Sequence, residues 1–255
     1  MIDEKSIADS QSNPVIEIKN LNKSFGELKV LQDCNLNLNK EENLVVLGKS
    51  GSGKSVLIKL IIGLLQANAG SINVLGEDVT KMKQDELGEI RKKMGFLFQS
   101  GALYDSMSVR QNLEFPLRRT GKKMSEKEMD DKILEVLENV GLADILDKMP
   151  SELSGGMRKR LALARTIVVD PLIMLYDEPT TGLDPTTSDG ISSLILKIQE
   201  KYKTSSIIIT HDIACARKVA NRLVMLQDGK VYKEGMLEDF ENSNDEIIQS
   251  FFNSI

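Results

Sequence analysis

The sequence predicts an α/β fold organised around a parallel β-sheet, with a small antiparallel β layer at its start and a helical insertion in its middle. Three observations carry this reading. Short, uninterrupted apolar runs recur at residues 44–47, 172–176 and 206–209, the pattern of strands buried on both faces of a parallel sheet. Helical patterns at residues 55–65 and 191–201 lie between them, as βαβ units require. Each run ends in a polar loop rich in Gly, Asp, Glu or His, and ligands of open parallel sheets gather at such ends.

Taken in order, Val15-Ile16-Glu17-Ile18 and Leu36-Asn37-Leu38 alternate apolar and polar residues, the period of half-exposed antiparallel strands. Residues 1–13 are acidic and polar with no apolar h-region, which predicts a disordered tail and not a secretory signal. Within residues 125–140, Met129, Ile133, Val136, Leu137 and Val140 recur at helical spacing beside charges, an amphipathic helix inside a helical insert of about residues 100–164. The main domain is placed at 14–237, with a C-terminal helical extension over 238–255. That extension ends in an apolar cluster, Ile247-Ile248 and Phe251-Phe252, which suits either a docked terminal helix or a contact with a neighbouring subunit.

Composition narrows the function. With 41% hydrophobic and 28% charged residues in 255, the chain can bury a substantial core. Its longest apolar stretch, 56–65, is broken by Lys59 and Gly63 and falls short of the roughly 20 residues a membrane-spanning helix needs, so a cytoplasmic location is expected. A net charge of −5 gives no basic footprint for nucleic acid, and Arg91-Lys92-Lys93 and residues 118–123 read as solvated helix faces. Cys34 and Cys215 lack the spacing of a metal knuckle or redox pair and are expected to be buried thiols.

The chemistry sits at the ends of the three apolar runs. Gly48-Lys49-Ser50-Gly51-Ser52-Gly53-Lys54-Ser55 fits G-x-x-x-x-G-K-[ST] between a buried strand and a helix, the setting that makes the pattern a phosphate-binding P-loop. Its glycines let successive backbone N–H groups face one anion, and the following helix N-terminus, continuing through Val56, adds to them. Lys54 reaches the β/γ-phosphates of ATP, and Ser55 offers a hydroxyl to Mg²⁺. After the second run, Asp177 can hold the Mg²⁺ shell, while Glu178, pointing the other way along an extended chain, can polarise a water aimed at the γ-phosphate. His211, the single histidine, follows the third run beside Asp212. A lone histidine is often structural; its strand-end position favours a γ-phosphate sensor.

Leu153-Ser154-Gly155-Gly156-Met157, followed by a helix and then the Asp177-Glu178 strand, resembles the signature of ABC ATPases, and with the P-loop it identifies the chain as a member of that family over about residues 16–235. The resemblance implies a P-loop NTPase fold with a RecA-like parallel core, ATP as nucleotide and Mg²⁺ as cofactor. Phe25 is similar to the adenine-stacking aromatic, Gln99 to the switch glutamine that joins catalysis and the Mg²⁺ site, Gly182-Leu183-Asp184 to the D-loop and His211 to the switch histidine. It further implies a homodimer in which Ser154, Gly155 and Gly156 of one subunit complete the site of the other, and a transmembrane permease docked near residues 99–113. Such a subunit works peripherally on the inner face of the bacterial inner membrane.

One departure is Met157, where the family usually has glutamine. Together with Phe98-Gln99-Ser100-Gly101-Ala102-Leu103 it resembles the ATPases of Mla-type systems, which move phospholipids with Mce-domain lipid-binding partners; the C-terminal extension is similar as well. An ATPase of another importer or exporter, for a small solute or a lipoprotein, and an ATPase of iron–sulfur assembly are the alternative expectations.

Overall fold

A computed structural model describes residues 14–252; the tail expected over 1–13 lies outside the described residues. β1 (Ile16–Phe25) and β2 (Leu28–Leu38) pair antiparallel, Ile16 opposite Leu38 and Ile18 opposite Leu36. The chain then enters a second sheet through β3 (Asn43–Leu47), turns through the P-loop into α1 (Lys54–Ile61), and returns to the first sheet as β4 (Ala69–Val74) and β5 (Glu77–Asp78). Next come α2 (Gln84–Arg91), β6 (Met94–Leu97), the helices α3 (Val109–Arg119), α4 (Glu126–Asn139) and α5 (Gly155–Ile167), and β7 (Ile173–Asp177). The remainder runs α6 (Pro185–Tyr202), β8 (Ser205–Thr210), α7 (Ile213–Val219), β9 (Arg222–Gln227), β10 (Lys230–Gly235), α8 (Leu237–Glu241) and α9 (Glu246–Phe252).

The strands form an antiparallel sheet in the order β2-β1-β4-β5 and a second sheet in the order β10-β9-β3-β8-β7-β6. The second is parallel apart from its antiparallel edge strand β10. Both faces of this sheet are covered, and strand alternation shows how. Leu44 and Val46 of β3, Ile173 and Leu175 of β7, and Ile207 and Ile209 of β8 pack with the first sheet and α1. Their neighbours Val45, Leu47, Met174, Tyr176 and Ile208 pack with α5, α6 and α7. Two cores therefore meet across one sheet, and each buried aliphatic side chain contributes about 1.5–3 kcal/mol over its exposed state. Arg222 ties the layers together, donating to both Glu42 carboxylate oxygens at 2.7 and 2.9 Å and to the Asn37 carbonyl at 2.8 Å.

Between β6 and β7 the chain is helical, as expected. Ser125 caps α4 in a reciprocal box with Glu128 and buries Met129, Ile133, Val136 and Leu137, the positions its periodicity singled out. Ser108 and Gln111 box the start of α3. Asn112, fully buried, accepts from the Tyr104 N–H at 3.0 Å and donates to the carbonyls of Tyr104, Met107 and Ser108. It thereby fixes the segment that leads from Gln99 into α3.

Several expectations change in detail. The helix expected to reach residue 65 ends at Ile61, because Gly63 takes φ +68° and Leu64 N–H reaches back to the Lys59 carbonyl at 2.8 Å, a Schellman-type stop. Arg91 is no solvated-face residue: its guanidinium caps that stop, donating to Ile62 and Gly63 carbonyls at 2.8 and 2.9 Å. Cys34 and Cys215 are free and buried, and burial pushes both thiols up to about 11. The C-terminal apolar cluster docks on its own chain, with Ile248 and Phe252 buried in the helical-side core beside Phe240.

Candidate functional site

The P-loop leaves the C-terminal end of β3, and close packing explains its glycines. A Cβ on Gly48 would lie 2.5 Å from both the Leu226 carbonyl and Ser52 Oγ, and Gly53 combines φ +103° with a Cβ position 2.8 Å from the Val30 carbonyl. Gly53 is also the N-cap of α1, which has no side-chain cap and no acidic residue in its first turn. The first-turn N–H groups are therefore left for an anion. Lys54, 7% exposed, donates from Nζ to the Gly48 and Lys49 carbonyls at 2.6 and 3.0 Å. Burial lowers its pKa from the ordinary lysine value, while Glu178 and Asp177 act in the opposite direction.

Ser55 Oγ donates to Asp177 Oδ1 at 3.0 Å, bringing two of the three expected Mg²⁺ ligands together. Burial raises the Asp177 carboxyl above the usual carboxylate value, against the Ser55 bond and two lysines, with Glu178 adding to the rise. An all-oxygen pair of this kind suits a hard cation completed by phosphate and water oxygens. Among the described residues, no group of three or more His, Cys, Asp and Glu side chains could hold a metal alone.

Glu178 diverges from Asp177 for a reason other than strand alternation. Its backbone is left-handed, φ +52°, not extended, and this turn swings it out of the β7 line. Its N–H donates to the Ile209 carbonyl at 2.9 Å. Its Oε2 is 2.8 Å from His211 Nδ1 and accepts from Thr181 Oγ1 at 3.0 Å. The His211 side chain is 61% exposed, as a group facing a ligand and not a core would be.

One cleft of about 590 Å³ is lined by Lys49, Ser50, Gly51, Gly53, Lys54, Ser55, Val56, Gln99, Glu178 and His211; Asp177 is not in the lining and meets it through Ser55. Gly48 and Ser52 lie buried beneath it. Phe25 is not in the lining: it stands 46% exposed at the end of β1, with Lys23 Nζ 4.8 Å from its ring centre. Ser154, Gly155 and Gly156 also lie outside the lining, at the α5 N-terminus. There Ser154 Oγ accepts from Met157 N–H at 3.3 Å, and the Met157 side chain packs against the helical-side core. Sequence reasoning missed Val30 and Phe251, which line the cleft, and Thr181. It missed Lys159 too, which lies between Arg158 and Arg160 and carries no local sign of its burial.

A protein-family profile described as ABC transporter matches residues 31–181. The chain belongs to the ABC transporter family. It is 42% identical over 238 residues to the probable ribonucleotide transport ATP-binding protein Mkl of Mycobacterium leprae, covering 93% of this chain and 68% of that protein. It is 39% identical to the intermembrane phospholipid transport system ATP-binding protein MlaF of Haemophilus influenzae, covering 93% of this chain and 89% of that one. Among solved structures it resembles a dimeric ATP-binding cassette in a post-hydrolysis state with ADP and phosphate, at TM-score 0.80 and 34% identity over 87% of this chain and 98% of the other. The family and this likeness make the chain an ATP-binding, ATP-hydrolysing subunit with the ABC ATPase fold. Among the described residues no helix is long and apolar enough to cross a membrane.

Proposed function

We propose that this ATPase powers phospholipid transport across a bacterial envelope, working as a homodimer on the inner face of the inner membrane beneath a permease with an Mce-domain partner. The observation that carries the cargo is the likeness to MlaF over nearly the whole of both chains; residues 98–103 and Met157 support it. Docking of the permease near residues 99–113 is supported by an aromatic patch there, where Tyr104 and Phe115 meet edge to face at 5.0 Å and Arg165 lies over Tyr104.

In the proposed cycle the α1 N-terminus and Lys54 bind the β/γ-phosphates, and Phe25 stacks on adenine from the rim. Ser55, Asp177 and Gln99 would hold Mg²⁺, which supplies charge neutralisation at the phosphate oxygens when bound. Glu178, braced by His211 and Thr181, takes up a proton from the attacking water, and its fixed carboxylate keeps that water in line with the γ-phosphorus. Ser154, Gly155 and Gly156 of the second copy close the site, a helix N-terminus supplied in trans. ATP thus favours the closed dimer and hydrolysis releases it.

Affinity purification from the native membrane tests the cargo. Recovery of two copies with a multi-spanning protein and an Mce-domain protein, with bound phospholipid, is expected. Recovery of a solute permease would favour the reading suggested by the name of Mkl, and soluble iron–sulfur assembly factors would overturn transport altogether.

A further inference from the structure

Lys159 lies on α5, within two turns of Ser154, Gly155 and Gly156, and is 6% exposed. A methionine or leucine would fill such a position without the desolvation cost of an ammonium. The lysine instead donates to two backbone carbonyls from two separate loops, Gln99 at 2.8 Å and Glu178 at 3.4 Å. Both belong to residues assigned to hydrolysis. Glu178 also has a left-handed backbone, φ +52°, a conformation that side-chain-bearing residues keep only when their surroundings hold it. Its N–H is held by the Ile209 carbonyl at 2.9 Å, and Lys159 holds the other end of the same residue.

We propose that Lys159 is a positioning residue that couples the signature end of α5, engaged on the nucleotide of the second copy, to Gln99 and Glu178 of its own chain. The inference rests on the roles proposed above for those two residues and for the signature. The geometry explains how a small motion is transmitted. The contact to Gln99 is at an ordinary hydrogen-bond length, whereas the one to Glu178 is at the outer limit. A shift of α5 by a few tenths of an ångström would therefore make or break the second contact while the first persists. Burial lowers the Lys159 pKa from the ordinary lysine value, while Asp177 and Glu178 act in the opposite direction.

The test compares the full-length wild type with Lys159→Met, Lys159→Arg, Ser154→Ala and the double variant Ser154→Ala/Lys159→Met. ATP turnover, affinity for a non-hydrolysable ATP analogue and thermal midpoint are measured for each. Lys159→Met is expected to lower kcat on the order of 10- to 100-fold, as a misplaced hydrolytic group does. Analogue affinity and thermal midpoint are expected to stay near wild type, and Lys159→Arg to restore much of kcat. The double variant is expected to be no slower than the worse single variant, the signature of two groups acting as one unit. Wild-type kcat in Lys159→Met, or effects that multiply in the double variant, would overturn the coupling. So would a loss of kcat matched by lost affinity and stability that arginine does not rescue. If Lys159→Met fails to fold, Lys159→Gln, whose shorter side chain cannot span both carbonyls, takes its place under the same expectations. Absence of ATP turnover in the wild type would indict the site reading itself, not this coupling alone.

Discussion

Replacing Glu178 with glutamine isolates the chemical step, because the structure separates what the carboxylate does for the fold from what it does for the reaction. The substitution keeps the side chain's length and an oxygen able to accept from Thr181, now 3.0 Å away, and from His211 Nδ1, now 2.8 Å away. The His211 partner is 61% exposed, so losing the charge there costs the fold no more than about 1 kcal/mol. The reaction loses its proton acceptor, a loss of about 10²- to 10⁴-fold, or roughly 3–5 kcal/mol in the activation barrier. We therefore expect single-turnover hydrolysis to fall by that factor, analogue affinity to stay within a few-fold, and the thermal midpoint to hold. Light scattering should show a dimer trapped by ATP. Turnover within tenfold of wild type would refute the assignment of Glu178, and a collapsed thermal midpoint would show that its role is structural.

The other predictions follow from the same geometry. Lys54→Ala removes a charge-assisted contact worth about 1.5–3 kcal/mol, so ATP affinity should fall by about 10- to 100-fold in a fluorescent-nucleotide titration and hydrolysis should be abolished. Asn112→Ala leaves the Tyr104 N–H and the Met107 carbonyl without their partner in the segment after Gln99, while the Tyr104 and Ser108 carbonyls keep backbone partners, and should cost about 1–3 kcal/mol in denaturant unfolding. Burial alone would raise the Glu42 carboxyl, but its bonds from Arg222 and Asn39 hold it below the usual carboxylate value. Its stabilisation is therefore fully present above that usual value and is lost as pH falls through the lowered one. Glu42→Gln should lower the thermal midpoint at neutral pH, and the gap to wild type should close in acid.

The β3, β7 and β8 runs were legible in the sequence because strands buried on both faces need no alternation, and each ends at a chemistry-bearing loop. The amphipathic α4 was legible for the opposite reason, its clean helical period. β6 was missed because Met94-Gly95-Phe96-Leu97 is too short to outweigh its glycine. There the small residue is imposed by packing, since a Cβ would sit 2.4 Å from Met174 Sδ. The cleft's first layer could be read from motifs, yet its support could not. The left-handed turn at Glu178, the Thr181 contact and the ammonium of Lys159 come from residues brought together only by the fold. Phe251 reaches the cleft through the docking of α9; the apolar cluster was legible in the sequence, but its place beside the P-loop was not.

The central claim is that ATP is hydrolysed in a cleft built by the P-loop, Asp177 and Glu178 of one copy and completed by the signature of another. Mixing two inactive variants tests it most directly. Lys54→Ala spoils the P-loop and leaves the signature intact, and Ser154→Arg does the reverse, so a mixed dimer contains one whole site. The account predicts negligible ATP turnover from each variant alone and clear turnover when the two are unfolded, mixed and refolded together. A mixture as inactive as its parents, or a Ser154→Arg protein that hydrolyses ATP at the wild-type rate, would contradict it.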